Sequence, residues 1–209
     1  MKKLSLITLF VSAFAFITSA YAGTISGNAG VTSNYLFRGI SQDDGASVNA
    51  GLTYTDGALS IGASAYSLSD GTEVNYVVDY SVNEALNVGA TVYSYDTPAG
   101  VDATELYAAY DLGIAAVSFA TVTDGANDGD TAIALSYGFD ITEGVSGSLT
   151  YGEVEDDSDS ANDYDYLQLD VSYESLTVSL VDAQHYVVDY SVNEALNVGA
   201  TVYSYDTEA

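Results

Sequence analysis

The stretch LQLDVSY, residues 167–173, alternates apolar and polar residues and closes on a tyrosine. An alternation with a period of two places the apolar side chains on one face of a β-strand and the polar side chains on the other. The same pattern ends on an aromatic residue in five more stretches: VNAGLTY at 48–54, VNYVVDY at 74–80, ELYAAY at 105–110, IALSYGF at 133–139 and YVVDY at 186–190. The chain is therefore predicted to be all-β, with strands that each separate an apolar from a polar environment.

The aromatic residues that close these stretches share the parity of the apolar positions. An amphipathic tyrosine ring suits the boundary between hydrocarbon and water. We therefore predict a closed antiparallel transmembrane β-barrel with an interface girdle. The girdle would contain Tyr54, Tyr80, Tyr110, Tyr137, Phe139, Tyr173 and Tyr190.

Reading for alternation gives about twelve strands, most of them near the length that a tilted membrane strand requires. They are predicted at 24–38, 46–55, 58–67, 73–82, 86–95, 104–112, 114–122, 131–140, 144–153, 164–173, 176–182 and 186–192. The first places Tyr35 and Phe37 on its apolar side and Arg38 on its polar side. The strand 114–122 is ambiguous, because Val117 and Phe119 fall on its nominally polar side.

Short turns are predicted to alternate with longer, acidic loops at 39–45, 68–72, 96–103, 123–130 and 154–163. Outer-membrane barrels have short turns at the periplasmic end and longer loops at the extracellular end. A soluble β-sandwich shows the same alternation within strands and is the principal alternative. Its strands are typically shorter, about five or six residues, and it has no reason to sort its loops in this way.

The first 22 residues have the layout of a secretory signal peptide: Lys2 and Lys3, then a largely apolar run, then Ala-Tyr-Ala at 20–22. An uncleaved membrane anchor is the alternative, but the small residues at 20–22 favour cleavage. Residues 23–209 are then expected to form one barrel domain. Within it, residues 186–207 repeat residues 76–97 without a change and would add a thirteenth strand at 196–205. An unaltered copy indicates a recent tandem duplication, a recombination event or an artefact of sequence assembly.

The charge of the chain is strongly negative. Thirty acidic residues stand against three basic ones, a net charge of −27. Removal of the leader, which holds two lysines and no acid, leaves Arg38 as the single base and a net charge of −29. Nucleic acid is excluded as a natural partner, because its phosphates would be repelled. The chain has no cysteine, which removes thiol chemistry and disulfides.

The segment SGNAGVTSNYLFRGISQDDGASVNAGLTY, residues 26–54, resembles the opening of the TorF family of porin-like proteins from Gram-negative bacteria. Its distinctive part is SNYLFRGISQ at 33–42. The resemblance implies an outer-membrane barrel with a pore role, inserted by the barrel-assembly machinery and surrounded by outer-membrane lipid. It supplies no substrate and no catalytic residue, and it sets no oligomeric state.

Acidic residues on the predicted inner face are candidates to line a pore. Asp79, Asp111, Asp140, Asp170 and Asp189 are predicted near one rim, with Glu105 further along its strand. Rings of carboxylates favour cations in pores, although solvated carboxylates beside turns would give the same pattern. Arg38, also a pore-lining candidate, is expected to pair with Glu105 or with a loop aspartate and so to pin the first loop.

Other chemistry finds little support in the sequence. The acidic stretches 124–130 and 153–165 offer oxygen ligands, but neither fits the EF-hand spacing, so diffuse attraction of counter-ions is expected rather than a metal site. His185 is the single histidine and has no serine partner of nucleophile-elbow form. No cofactor motif is present, and we expect no enzymatic activity.

The sequence thus predicts a channel in the outer membrane for passive diffusion of small solutes, with a preference for cations. A non-conducting surface protein, with an adhesive or envelope-structural role for its acidic loops, is the alternative.

Overall fold

The computed structural model describes residues 23–43, 45–98, 100–125 and 127–181, and the backbone of residues 185–193. The predicted leader 1–22 and the predicted strand 196–205 lie outside these residues. Within them, no helix has the length and apolar character needed to cross a membrane. The strands of the described residues are β1 Thr24–Thr32, β2 Leu36–Phe37, β3 Ile40–Ser41, β4 Ser47–Asp56, β5 Leu59–Leu68, β6 Gly71–Ser81, β7 Leu86–Tyr95, β8 Ala103–Asp111, β9 Ala116–Gly125, β10 Thr131–Thr142, β11 Val145–Glu155, β12 Tyr164–Tyr173, β13 Leu176–Val181 and β14 His185–Asn193, with a single 3₁₀ turn at Ser160–Asn162.

One large antiparallel sheet contains all of the long strands. β1 and β4 to β13 follow one another as neighbours in it, and β14 pairs with β13 on one side and with β1 on the other. The last of these pairings runs from Asn28 opposite Asn193 to Thr32 opposite Asp189. Neighbouring strands follow the order β1-β14-β13-β12-β11-β10-β9-β8-β7-β6-β5-β4, and β4 also pairs with β1. The prediction of an all-β antiparallel architecture is confirmed.

The outer face of the sheet is apolar and exposed. Residues paired across antiparallel strands point to the same side, and one continuous row crosses six strands, β7 to β12. Its members are all apolar or aromatic: Leu86, Tyr110, Val117, Leu135, Tyr151 and Leu167. This row resolves the ambiguous strand, because Val117 lies opposite Tyr110 and Phe119 lies opposite Ala108 on the outer face.

The inner face carries the polar partners of this alternation. Glu73, Asn75, Thr91, Glu105 and Ser179 lie on it and are buried. The sheet therefore turns its carboxylates and amides inward and its aliphatic side chains outward, the reverse of a water-soluble globule, in which apolar side chains are buried.

The connections differ at the two ends of the sheet. At one end they take two or four residues, at 57–58, 82–85, 112–115, 143–144 and 174–175. At the other end three of them are longer, at 96–102, 126–130 and 156–163. The predicted loop 68–72 was wrong: Leu68 pairs with Gly71, so that only Ser69 and Asp70 connect β5 to β6. Thr72 pairs with Ser67 and Gly71 pairs with Leu68, so that β6 begins at Gly71 and leaves only a two-residue turn.

The first predicted strand was also too long. β1 ends at Thr32, and residues 33–43 leave the sheet. Tyr35 and Phe37 do not continue the apolar outer face, contrary to the prediction. They turn inward because the segment folds into a small hairpin, in which Leu36 pairs with Ser41 and Phe37 pairs with Ile40.

Candidate functional site: a hairpin inside the sheet

The hairpin formed by Ser33–Asp43, hereafter the inner hairpin, is held by its own hydrogen bonds. The Gln42 amide donates to the Tyr35 carbonyl at 2.7 Å, and the Ser41 hydroxyl donates to Asn34 Oδ1 at 2.6 Å. The turn uses two successive left-handed residues, Arg38 with φ +50° and Gly39 with φ +79°. This tight turn presents the Arg38 side chain at the tip of the hairpin.

Tyr35 anchors one side of the inner hairpin. Its hydroxyl donates to Glu73 Oε1 at 2.8 Å, and Asn75 Nδ2 donates to the same oxygen at 2.7 Å. The Tyr35 ring stacks on Tyr66, with centroids 4.3 Å apart and planes 5° from parallel. Burial is the largest cause of a pKa of Tyr35 far above its usual value, and the charge of Glu73 is the second. The phenol therefore stays protonated, as a hydrogen-bond donor, at any physiological pH. The contact satisfies a carboxylate that is only 1% exposed.

Arg38 anchors the tip. Its guanidinium lies 2.8 Å from Glu105 Oε2, and its Cζ lies 4.6 Å from the centroid of the Phe37 ring. Phe37 in turn meets Tyr93 edge to face at 5.8 Å, and the Tyr93 hydroxyl donates to Glu105 Oε1 at 3.3 Å. The predicted pairing of Arg38 with Glu105 is therefore present, and it pins the first long loop to the inner face of β8.

Gly39 makes the closest approach between the inner hairpin and the sheet. A Cβ added there would lie 2.5 Å from Cβ of Tyr166 and 2.8 Å from its Cγ. No side chain fits this space, and the left-handed φ also favours glycine. Gly39 therefore sets how deeply the hairpin sits against β12.

We expect Gly39→Ala to release the inner hairpin. The left-handed backbone alone costs alanine about 1–2 kcal/mol, and the clash with Tyr166 adds to it. Arg38 is the only trypsin site after Lys3. Because cleavage follows the population of the open form, trypsin should cut the folded variant after Arg38 about tenfold faster than the parent chain, or more, as measured by mass spectrometry.

Gly113→Ala is the matched control for this experiment. Gly113 has φ +85°, and a Cβ there meets nothing within 4 Å. The control therefore introduces the same backbone strain in a turn without the clash, and cleavage at Arg38 should stay slow. Equal acceleration in both variants would show that Gly39 has no special role in seating the hairpin.

Two cavities flank the inner hairpin, and Tyr35 lines both. The first, of about 490 Å³, is bordered by aromatic rings and carboxylates and is called here the aromatic cavity. The second, of about 450 Å³, is bordered mainly by Asn, Thr, Ser and Gln side chains and is called the polar cavity. The hairpin thus divides the space enclosed by the sheet into compartments of different chemistry.

The long loops reach the aromatic cavity through Asp130 and Asp156. Asp156 organises the loop before β12: it accepts hydrogen bonds from the Ser158 hydroxyl at 2.6 Å, the Ser158 amide at 2.8 Å, the Asp159 amide at 2.9 Å and Asn162 Nδ2 at 2.9 Å. These donors, the Ser158 side chain first among them, lower the pKa of Asp156 to about 2. The neighbouring Asp157 amide donates to Asp130 Oδ1 at 3.1 Å and joins the two loops.

We expect Ser158→Ala to raise the pKa of Asp156 toward its ordinary value of 3.8. A lowered pKa means that the folded loop favours the carboxylate. The stabilisation is therefore complete above pH 3.8 and is lost as the pH falls toward 2. Carboxyl ¹³C shifts of the folded protein measure this titration. Ser160→Ala, a change in the same loop outside these hydrogen bonds, should leave the pKa of Asp156 unchanged. If Asp156 titrates in Ser158→Ala as it does in the parent chain, the Ser158 hydroxyl is not the main cause of the lowered pKa.

Among the predicted pore-lining residues, the structure joins Glu105 to Arg38 and gives Asp79 and Asp170 other partners on the inner face. Glu105 and Arg38 are joined at the inner hairpin, while Asp79 accepts a hydrogen bond from the Tyr107 hydroxyl at 2.9 Å elsewhere on the inner face. Asp170 accepts from Gln168 at 2.9 Å and from Ser148 at 3.2 Å, and it borders the polar cavity.

The remaining predicted carboxylates lie toward the short turns. Asp111 and Asp140 are exposed, and Asp111 accepts from the Gly113 amide at 2.7 Å, a local turn contact. The backbone of Asp189 lies opposite Thr32 and Thr177, and its side chain is outside the described residues.

The predicted girdle residues whose side chains are described lie on the outer face, and all of them except Tyr54 are at least partly exposed. Tyr80, Tyr110, Tyr137 and Tyr173 are each about half exposed, and Phe139, partly exposed, stacks on Tyr137 at 5.8 Å. Tyr54 is only 8% exposed, because its ring lies over Gly23, where a Cβ would come within 2.5 Å of it. The side chain of Tyr190 lies outside the described residues.

Sequence reasoning missed the acceptor of Tyr35 and the aromatic lining. Glu73 shares the parity of Asn75 and Asp79, so strand alternation could have placed it on the inner face. The rings of Tyr93 and Tyr95 share the parity of Thr91, and the ring of Tyr164 shares that of Gln168, so alternation could have placed them on the inner face as well. No pattern in the sequence indicates that they border one cavity together with the inner hairpin. Across the described residues, no group of three or more His, Asp or Glu side chains could hold a metal ion.

The chain matches no protein-family model, and no curated protein is similar to it.

Proposed function

We propose that the protein is an outer-membrane channel of the porin type, which lets small solutes diffuse passively and prefers cations. The observation that supports it most is the apolar outer face combined with a charged inner face. In lipid, every backbone N–H and C=O group of a sheet needs a hydrogen-bond partner within the protein. Only a closed barrel meets this need, because it has no open edge strand. The circular strand order and the resemblance of residues 26–54 to the TorF family point the same way.

The charge distribution favours cations. The single base after the leader, Arg38, is already paired with Glu105. Glu73, Asp79 and Asp170, also on the inner face, each accept a hydrogen bond from a neutral side chain. Carboxylates that line a narrow passage attract cations and repel anions.

The inner hairpin is the specific observation that favours the alternative. Barrels of eight strands fill their interior with side chains, whereas those of sixteen or more enclose a water channel. A twelve-stranded ring with a hairpin across it could be a non-conducting surface protein whose loops serve adhesion or envelope structure. The cavities on both sides of the hairpin favour the channel.

Planar-bilayer recording with the refolded protein tests the proposal. We expect discrete conductance steps in KCl and, in a salt gradient, a reversal potential toward that of K⁺. The absence of steps, with heat-modifiable gel migration intact, would support the surface protein. A reversal potential toward Cl⁻ would refute the role of the inner carboxylates, and solubility in buffer without detergent would refute the membrane barrel.

A further inference from the structure

We propose that the aromatic cavity is a binding site for a small organic cation with an ammonium or guanidinium head group. The inference rests on the proposed function and deepens it, since it names the class of solute that the channel would prefer. It goes beyond a general preference for positive charge, because aromatic rings select among cations.

Aromatic rings border this cavity on several sides. Tyr35 and Phe37 come from the inner hairpin, Tyr93 and Tyr95 from β7, and Tyr164 from the start of β12. The face of an aromatic ring attracts a cation through its quadrupole, which strengthens binding about two- to thirtyfold per contact. A volume of about 490 Å³ is also in the range of sites for small molecules.

The chain already places one organic cation at this wall. The Arg38 guanidinium lies over Phe37 at 4.6 Å and is paired with Glu105 at 2.8 Å. A ring face and a carboxylate together therefore accommodate a delocalised cation here. Tyr95 and Tyr164 line the same cavity, and its volume of about 490 Å³ is large enough for a second cationic group.

Charge distinguishes a cation from a neutral solute. The carboxylates that border the cavity are Glu73, Glu105, Asp130 and Asp156, against the one guanidinium of Arg38. This is a formal surplus of three negative charges. An anion is repelled, and a sugar, which would also stack on aromatic rings, gains nothing from the surplus.

The placement of these carboxylates disfavours a bare metal ion. A hard cation such as Ca²⁺ requires six to eight oxygen ligands in one shell, and the described residues contain no such cluster. Glu73 accepts from Tyr35 and Asn75, while Glu105 is bound to Arg38 and Tyr93. Separated, hydrogen-bonded carboxylates around rings suit a large, weakly hydrated cation.

Calorimetric titration of the full-length protein in detergent micelles tests the proposal, with choline as the probe. Its neutral isostere, 3,3-dimethylbutan-1-ol, has the same shape without the charge. We expect choline to bind at least about tenfold more tightly than the isostere, as one or two cation–π contacts would give. Equal binding of the two, or tighter binding of maltose than of choline, would overturn the proposal.

Two matched pairs of variants locate the site. Phe37→Leu should weaken choline binding about two- to thirtyfold, while Phe139→Leu, the same change on the outer face, should not. Asp130→Asn should weaken it more than Asp170→Asn, which removes the same charge at the polar cavity. Equal effects within either pair would contradict the assignment of the site. If Phe37→Leu does not fold, the comparison of choline with its isostere on the parent chain still decides.

The readout separates this inference from the channel proposal. K⁺ conductance without choline binding would remove the organic-cation site and leave the channel standing. Selective choline binding without conductance would remove the channel, while the site itself would be established.

Discussion

Replacement of Leu135 by arginine is expected to destabilise the folded protein in lipid, whereas the same replacement at Ser118 is not. Leu135 lies near the middle of β10 on the exposed outer row, between Val117 and Tyr151. An arginine on the lipid face near the centre of a bilayer costs about 2–4 kcal/mol. Ser118 lies on the neighbouring strand but on the inner face, opposite Ala109 and Ala134, where water would solvate the charge.

Urea titrations of both variants in lipid vesicles, followed by tyrosine fluorescence and gel migration, measure the difference. We expect the free energy of unfolding to fall by about 2–4 kcal/mol for Leu135→Arg and to change little for Ser118→Arg. If the outer face meets water, as in a soluble sandwich, an exposed leucine is replaceable within about 0.5 kcal/mol. A neutral Leu135→Arg would therefore contradict the membrane barrel itself.

Arg38→Gln is expected to undock the inner hairpin and to increase the preference for cations. The Arg38 side chain is 21% exposed and that of Glu105 only 5%, so the substitution leaves a carboxylate buried without its cation. Removal of one partner of a buried pair costs about 3–5 kcal/mol, and the partial exposure of Arg38 puts this pair at or below about 3 kcal/mol. Such a change would shift the docking equilibrium by about a hundredfold.

Hydrogen exchange at residues 36–41, measured by mass spectrometry, reports the docking. We expect faster exchange in Arg38→Gln and a reversal potential closer to that of K⁺, because Glu105 adds an uncompensated negative charge. The double variant Arg38→Gln/Glu105→Gln restores the formal charge of the parent and removes the buried carboxylate. It should recover most of the protection and the selectivity, and the cycle measures the coupling between the two residues.

Failure of the double variant to recover protection would show that the ion pair is not what holds the hairpin. The stacking of Tyr35 on Tyr66 and its bond to Glu73 would then be the principal anchor. Unchanged exchange and unchanged conductance in Arg38→Gln would remove both the anchoring role and the role in selectivity.

Much of this architecture was determined by the sequence alone. Alternation in LQLDVSY or ELYAAY specifies a strand and its two faces from consecutive residues, because side chains point to opposite sides whichever strands pair with them. The long strands, the all-β class and the excess of acids over bases were therefore readable from the chain. The same local rule places most of the apolar outer row from Leu86 to Leu167, but only the pairing of Val117 with Tyr110 decided the face of β9.

Only the tertiary structure decided where the first strand stops and what fills the space inside the sheet. By parity, Tyr35 and Phe37 continue the apolar face of β1 as well as Val31 does. They turn inward because their partners come from distant parts of the chain: Glu73, which is 38 residues from Tyr35, and Tyr93 and Glu105, which meet Phe37 and Arg38 across the interior. A local pattern cannot register a contact that exists only once the strands have paired. The inner hairpin and its two cavities therefore belong to the fold and not to any one stretch of sequence.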